Sequence, residues 1–238
     1  MKLLVTGGLG FIGSNFILKL LQQDDVEITN VDAELFGADH RNLSKIENSE
    51  KYNFVKGNIS NKKLMEEQIT KCDAVVNFAA ESFVDRSIND ANPFLVSNIR
   101  GAFTILDIVT KQKKRMVHIS TDEVFGELGE KGFFTEQTSY DPKSPYSASK
   151  IAADNMAMSY YLSFDLPLKI VRPFNTYGPR QSARALIPSI IIQCLNKNKK
   201  IKIGNLKPTR DLTYVGDTCN AFLEIFKTNL PGEIINIG

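Results

Sequence analysis

Short apolar runs alternate with longer amphipathic stretches along most of the chain. The apolar runs are rich in valine, leucine and isoleucine and predict buried strands at Lys2–Val5, Glu27–Val31, Phe54–Lys56, Ala74–Phe78, Met116–Ile119 and Lys169–Val171. Apolar positions at helical spacing predict helices over Ser14–Leu21, Lys62–Ile69, Phe94–Thr110 and Tyr146–Phe164. Strands and helices that alternate in this way form parallel sheets with helices on both faces. The pattern therefore predicts an α/β fold, a Rossmann-type doubly wound parallel sheet.

The regular alternation stops after Arg172. Glycines and prolines then interrupt the chain at Pro173, Gly178, Pro179, Pro188, Gly204 and Pro208. Because these residues break helices and strands, we place a domain boundary here. Residues 1–172 are predicted to form the doubly wound domain, and residues 173–238 a second, smaller part.

Composition excludes several classes of protein. The 238 residues carry a formal net charge of +2, with 42% hydrophobic and 24% charged residues, which is typical of a soluble globular protein. Three widely spaced cysteines and two histidines exclude a disulfide framework and a cysteine–histidine metal site, and they favour the cytoplasm. No apolar run approaches the ~20 residues of a membrane span, and the first strand leaves no room for a signal peptide.

Two short basic patches lie at residues 111–115 and 196–200. Each directly precedes an apolar run, and neither contains aromatic residues. These features favour solvated helix ends over a nucleic-acid contact. We expect no nucleic-acid partner and no membrane partner.

A glycine-rich segment follows the first predicted strand. Residues 6–13 read TGGLGFIG, in which Gly7, Gly10 and Gly13 permit a tight turn and a close approach of the backbone to a pyrophosphate. Asp32 ends the second strand, where a carboxylate accepts hydrogen bonds from ribose hydroxyls and repels a 2′-phosphate. This context predicts NAD binding, and a flavodoxin-like domain without a dinucleotide is the alternative.

Two further segments carry candidate catalytic groups. The strand before residue 120 ends in Thr121, Asp122 and Glu123, and polar groups at the carboxyl end of a parallel strand face the ligand crevice. By themselves, Asp122 and Glu123 are better explained as helix caps or as part of a solvated loop. Tyr146 and Lys150 lie four residues apart and share one helix face. The ammonium can lower the tyrosine pKa, so that a phenolate removes a proton from a substrate hydroxyl.

The motifs together resemble those of a known family. TGGLGFIG, NFAAESFVDRSI (77–88), STDEVFG (120–126), PYSASK (145–150), RPFNTYGPR (172–180), TRDLTYVGD (209–217) and NIG (236–238) occur in this order. The chain is similar throughout to the extended short-chain dehydrogenase/reductase family, and within it to the nucleoside-diphosphate-sugar 4,6-dehydratases. The resemblance implies that a tightly bound NAD oxidises sugar carbon 4, that water is then eliminated, and that a 4-keto-6-deoxy sugar results.

The resemblance also implies roles for individual residues. Tyr146, assisted by Lys150 and Thr121, would act on the 4-hydroxyl, while Glu123 removes the proton from carbon 5 and Asp122 protonates the departing 6-hydroxyl. The residues implied to bind the cofactor are Gly7, Gly10, Phe11, Ile12, Gly13, Asp32, Asn58, Ile59, Ala79, Ala80, Ser82, Ser97, Tyr146 and Lys150. Those implied to bind the substrate are Ser82, Thr121, Asn175, Leu186, Arg210 and Asn236. Arg210 suits bidentate phosphate binding on its own chemistry, with a surface ion pair to Asp211 as the alternative.

The chain departs from the family pattern in several places. Asn58 replaces a usual aspartate, and Phe83 stands where a histidine is common, which removes a polar contact near the site. Residues 172–184 look closer to enzymes of UDP- or GDP-linked N-acetylated sugars. Family members usually continue further, so residues 173–238 are expected to form an incomplete sugar-nucleotide-binding part.

Two alternative functions stay open at this point. An epimerase or decarboxylase of the same family would use Tyr146 and Lys150 without the acid–base pair. A non-catalytic NAD-binding module is the alternative from another class. The resemblance also implies a homodimer formed through the helices at Phe94–Thr110 and Tyr146–Phe164.

Overall fold

The computed structural model describes residues 1–22, 26–129, 131–197, 200–205, 207, 209–229 and 231–238. Its centre is a parallel sheet with the strand order β3-β2-β1-β4-β5-β6-β9. These strands are β1 (Lys2–Thr6), β2 (Glu27–Asp32), β3 (Tyr52–Lys56), β4 (Ala74–Asn77), β5 (Arg115–Ile119), β6 (Leu168–Pro173) and β9 (Ile234–Ile237). Two short strands, β7 (Asn175–Tyr177) and β8 (Leu212–Tyr214), form a separate parallel pair. This order is that of a Rossmann fold, so the predicted fold class is confirmed.

Helices connect the strands. They are α1 (Phe11–Leu20), α2 (Lys62–Thr70), α3 (Val84–Asn89), α4 (Asn92–Phe94), α5 (Ala102–Lys111), α6 (Pro145–Phe164), α7 (Leu186–Leu195) and α8 (Val215–Lys227). Leu95–Gly101 continues α4 into α5 as a π-helical segment, and 3₁₀ turns occupy His40–Leu43 and Asp122–Phe125. Helix α6 begins where its sequence indicates, since Ser144 caps the backbone N–H of Ser147 and Pro145 takes the first position. In the part of the chain that the structure describes, no helix is long and apolar enough to cross a lipid bilayer.

The sheet buries both of its faces. Side chains alternate across a strand, so Leu3 and Val5 of β1 join one hydrophobic cluster and Leu4 joins the other. The first cluster includes Phe16 of α1 and Phe222 of α8, and the second is built with α2, α5 and α6. Two-sided burial explains why the strands have continuous apolar sequences.

Part of the segment after Arg172 belongs to these same layers. Strand β9 extends the sheet beyond β6, with Ile234 opposite Ile170, and α8 packs against α1. The division of function between residues 1–172 and 173–238 stays a prediction. The strand order reverses between β1 and β4, and this switch point opens a crevice at the carboxyl ends of the strands, where ligands of such sheets bind.

Candidate cofactor and catalytic site

A cleft of about 650 Å³ lies at the carboxyl ends of the strands. Its walls come from the loops after β1, β2, β4 and β5, from the start of α6, and from residues after β7. Every residue predicted to bind the cofactor lies on these walls. They are Gly7, Gly10, Phe11, Ile12, Gly13, Asp32, Asn58, Ile59, Ala79, Ala80, Ser82, Ser97, Tyr146 and Lys150. Their contact with a cofactor stays a prediction, but the structure brings together residues that span most of the sequence.

The glycine-rich loop is shaped for close contact with phosphates. Gly7 has a φ of +71°, and a Cβ there would lie 2.6 Å from the backbone nitrogen of Ala79. A Cβ on Gly13 would lie 2.5 Å from the carbonyl oxygen of Gly7. Helix α1 starts directly after this loop without a side-chain cap and without an acidic residue in its first turn. Its N–H groups and the positive end of its dipole are therefore available to an anion, and this part of the cleft fits a dinucleotide pyrophosphate.

Asp32, the last residue of β2, binds the backbone of the glycine-rich loop. Its two carboxylate oxygens accept hydrogen bonds from the backbone N–H groups of Leu9 (3.0 Å) and Glu34 (2.9 Å). Burial raises the pKa of Asp32, and these two hydrogen bonds lower it. Each oxygen keeps a lone pair on the cleft wall, which suits the ribose hydroxyls of NAD. Glu34 forms an ion pair with Lys56 and a hydrogen bond with His40, so the Lys56 ammonium already has a carboxylate partner.

Tyr146 and Lys150 meet the end of β5 at the inner end of the cleft. Lys150 is 3% exposed, and its Nζ donates a 2.6 Å hydrogen bond to the carbonyl oxygen of Ile119. Burial lowers the pKa of Lys150 to about 8. Burial also raises the pKa of Tyr146, and a hydrogen bond with Thr121 partly opposes this increase. The predicted neighbours Thr121, Tyr146 and Lys150 thus share one site.

Asp122 is an unusual carboxyl group in this site. Burial, followed by the charge of Glu123, raises its pKa to about 6. Its Oδ1 accepts from Thr121 Oγ1 and its Oδ2 from Asn175 Nδ2, both at 3.2 Å. The cap of the 3₁₀ turn is Thr121, which accepts from the backbone N–H of Glu123. The carboxyl groups of Asp122 and Glu123 do not serve as that cap, so they are available for chemistry.

The residues predicted to bind the substrate are more scattered. Asn175 contacts the site by donating a hydrogen bond to Asp122. Three others do not line the cleft: Leu186, Arg210 and Asn236. The Arg210 charge nevertheless lowers the pKa of Asp122. Its Nη1 donates to the carbonyl oxygen of Thr209, and among the described residues Arg210 forms no ion pair with Asp211, which was the alternative interpretation of this arginine. The side-chain amide of Asn236 is buried and has no hydrogen-bond partner within the part of the chain that the structure describes.

Phe83 lies on the cleft wall in a strained conformation. Its φ of 77° falls in a region that non-glycine residues rarely occupy. The ring packs edge-on against Phe36, with 5.4 Å between the ring centres, and both residues line the cleft. The sequence indicated only the loss of a polar contact here, and the aromatic pair was not predicted.

A buried polar cluster beside Lys150 was also missed. It contains His118, Asp154 and Arg172, each at most 2% exposed. Asp154 follows Lys150 by four residues on α6, so helical spacing could have placed it on the same face. Arg172 and His118 come from β6 and β5, and no local pattern joins them to the helix.

Comparison with known proteins assigns the family. Residues 4–238 match the family described as GDP-mannose 4,6 dehydratase. The low-salt glycan biosynthesis protein Agl12 of Haloferax volcanii is 40% identical over 239 residues, which cover 100% of this chain and 77% of that protein.

Two solved structures are also similar over the whole chain. One is a dTDP-glucose 4,6-dehydratase from Bacillus anthracis in complex with NAD, at 41% identity and a TM-score of 0.93, covering 75% of that protein. The other is a UDP-glucuronic acid 4-epimerase from Bacillus cereus in complex with UDP-glucuronic acid and NAD, at 31% identity and a TM-score of 0.93, covering 77% of that protein. The chain thus spans about three quarters of the length of these relatives. The family-wide match and the shared fold confirm the resemblance: this chain belongs to the GDP-mannose 4,6-dehydratase family of extended short-chain dehydrogenases/reductases.

Proposed function

We propose that this protein catalyses the NAD-dependent 4,6-dehydration of a nucleoside-diphosphate hexose, in the manner of a dTDP-glucose 4,6-dehydratase. The observation that carries the proposal is Asp122, a carboxyl group with a pKa of about 6 beside Glu123 and close to Tyr146. A C4 epimerase needs Tyr146 and Lys150 but has no step for a proton-donating carboxyl group. The similar dehydratase structure contains NAD, which agrees with the predicted cofactor and with the geometry of the glycine-rich loop.

The first step requires a base at the 4-hydroxyl of the sugar. NAD, held by the glycine-rich loop and Asp32, would supply the redox chemistry, which is the acceptance of a hydride from carbon 4 and its return to carbon 6. Tyr146 as phenolate removes the hydroxyl proton, and Thr121, which hydrogen-bonds Tyr146, holds the sugar oxygen beside it. Lys150 stabilises the phenolate as a cation, and its bond to the Ile119 carbonyl fixes its position.

The second step eliminates water across carbons 5 and 6. The ketone at carbon 4 makes the carbon 5 proton acidic, and Glu123 removes it. Asp122 donates its proton to the 6-hydroxyl as the carbon–oxygen bond breaks, and water leaves. A pKa of about 6 leaves an appreciable protonated fraction near neutral pH, whereas an ordinary aspartic acid would be almost fully ionised. Unequal environments for two adjacent carboxyl groups are a general way to obtain an acid and a base.

The substrate-binding residues follow the same proposal. Asn175, Leu186, Arg210 and Asn236 would hold the nucleoside diphosphate, with Arg210 on the phosphates. Residues 1–172 would bind the cofactor and residues 173–238 the nucleotide sugar.

We also propose a cytoplasmic homodimer, supported by exposed apolar side chains on the π-helical segment, α5 and α6. These are Leu95, Phe103, Leu162 and Phe164.

The test is mass spectrometry of protein incubated with NAD and a panel of dTDP-, UDP-, GDP- and CDP-linked hexoses. Loss of one water from a single panel member, abolished in Glu123→Gln, supports the dehydratase and identifies its substrate. An isomer of unchanged mass with inverted carbon 4, seen by NMR, would instead establish an epimerase. Stable NAD binding without any turnover of the panel would favour the non-catalytic module.

A further inference from the structure

A buried ion pair lies behind the catalytic tyrosine and lysine, and the mechanism above does not use it. The exposed fractions of Asp154 and Arg172 are both 0%. Asp154 Oδ2 accepts hydrogen bonds from Arg172 Nε (3.2 Å), Arg172 Nη2 (3.1 Å) and Ser120 Oγ (2.9 Å). An arginine keeps its charge in proteins, and three donors to one oxygen favour the carboxylate form. Burial raises the pKa of Asp154, and the charges of Arg172 and Lys150 oppose this effect.

The remaining oxygen of Asp154 faces a neutral histidine. Thr6 Oγ1 donates to Asn77 Oδ1, so the Asn77 amide nitrogen donates to His118 Nδ1 at 3.1 Å. This contact assigns the His118 proton to Nε2. Nε2 lies 3.9 Å from Asp154 Oδ1, and among the described residues neither atom has a hydrogen-bond partner. Burial, reinforced by Lys150, lowers the pKa of His118 well below its ordinary value, so the histidine adds no charge to the cluster.

Lys150 lies between this cluster and Tyr146. Lys150 and Asp154 are four residues apart on α6 and share one helix face. The Lys150 Nζ donates to the Ile119 carbonyl rather than to a carboxylate, so Asp154 acts on it through charge over a longer distance. Asp154 also raises the pKa of Tyr146. The titratable and charged groups around this tyrosine and lysine are His118 on β5, Asp122 and Glu123 after β5, Tyr140 before α6, Asp154 on α6 and Arg172 on β6.

We infer that Asp154 is a positioning residue that keeps Lys150 a cation beside Tyr146, and that Arg172 and Ser120 hold its carboxylate in place. A buried ammonium without a counter-charge loses its proton readily, and a neutral Lys150 could not stabilise the phenolate. The consequence for catalysis rests on the proposed function, because only there does Tyr146 serve as a base. The electrostatic statement about Lys150 stands independently of any substrate.

The direct test measures the pKa of Lys150 by NMR of protein labelled with ¹³C at lysine Cε, with Lys150→Arg used to assign the resonance. In Asp154→Asn the pKa should fall by about one unit, because an opposite charge near an ionisable group is worth ~1–3 units. Asp154→Glu keeps the charge and should restore the wild-type value. His118→Gln changes no charge in the cluster and is the matched control, with an expected shift near zero.

Loss of the Asp154 carboxylate leaves the buried Arg172 without a charged partner, although its Nη2 still donates to the Tyr140 hydroxyl, and such an uncompensated charge can unfold a protein. The double variant Asp154→Asn with Arg172→Gln removes both charges and keeps amide hydrogen bonds, so in a folded protein the pKa of Lys150 should still fall, but by less than in Asp154→Asn because the repulsion from Arg172 is also lost. A Lys150 pKa equal to that of the wild type in either folded variant overturns the inference.

Turnover supplies the second readout. The rate requires ionised Tyr146 and protonated Lys150, and the loss of Asp154 lowers the pKa of both groups. The ionisations that Tyr146 and Lys150 contribute to the pH–rate profile should therefore move to lower pH in Asp154→Asn, whereas the ionisation of Asp122 should stay in place. A variant that is slower but keeps the wild-type profile would show a merely structural role. If no panel sugar reacts, the proposed function fails, but the NMR titration still decides the role of Asp154.

Discussion

Replacing Asp122 by asparagine should stabilise the folded protein near neutral pH while abolishing dehydration. The folded structure holds Asp122 with a pKa of about 6, against 3.8 for the unperturbed group. At 1.36 kcal/mol per unit this shift corresponds to roughly 3 kcal/mol. Because Asp122 is partly exposed, solvent screening reduces the expected effect to about 2 kcal/mol.

The sign of the pH dependence follows from proton binding. Between pH 3.8 and about 6 the folded state binds more protons at Asp122 than the unfolded state does. The free energy of unfolding therefore falls as the pH rises through this window. The cost of the buried charge is absent below pH 3.8 and fully present above about pH 6. Asparagine removes this cost and can still accept from Asn175 through its amide oxygen.

The assay is urea-induced unfolding of wild type and Asp122→Asn at pH 4 and at pH 7.5. We expect a gain of about 2 kcal/mol at pH 7.5, equivalent to ~4–8 °C in Tm for a chain of this size, and almost none at pH 4. The pH 4 measurement is the internal control, because both side chains are then mostly neutral. An equal difference at the two pH values, or a loss of stability at pH 7.5, would refute a buried and costly carboxylate. The same variant should show no loss of water from the substrate by mass spectrometry.

Three further predictions concern the cofactor loop, the base and the phosphate site. Gly13→Ala should weaken NADH binding at least tenfold in a fluorescence titration, because the new Cβ would lie 2.5 Å from a backbone oxygen. Gly204→Ala is the control, since no atom lies within 4 Å of the Cβ that it adds. Tyr146→Phe should lower kcat by ~10²–10⁴ with unchanged NADH affinity, and a kcat within fivefold of wild type would contradict its role. Arg210→Gln should raise KM for the nucleotide sugar tenfold or more without altering NADH binding, and an unchanged KM would remove Arg210 from the site.

Most of the fold could be predicted because its strands are buried on both faces. Such strands have continuous apolar sequences, and the six predicted from them are present, displaced by at most two residues at either end. The signals weakened after Arg172. Strands β7 and β8 have only three residues each, and α7 and α8 follow segments rich in proline and glycine. The π-helical segment Leu95–Gly101 was also missed, since its apolar spacing is close to that of an ordinary helix.

The cofactor and catalytic motifs could be predicted for a different reason: each is local, lying within one turn or one helical repeat. The cluster around Asp154 has no such signature. An aspartate four residues after a lysine normally indicates a solvated ion pair on a helix surface, and only the assembled sheet shows that both side chains are buried. On a helix surface water solvates both charges, whereas a buried charge is costly unless other protein groups compensate it. Here Arg172 on β6 and Ser120, which directly follows β5, are the protein groups that match the charge of Asp154. Fold-level packing, rather than sequence spacing, therefore determines whether the lysine beside Tyr146 can remain charged.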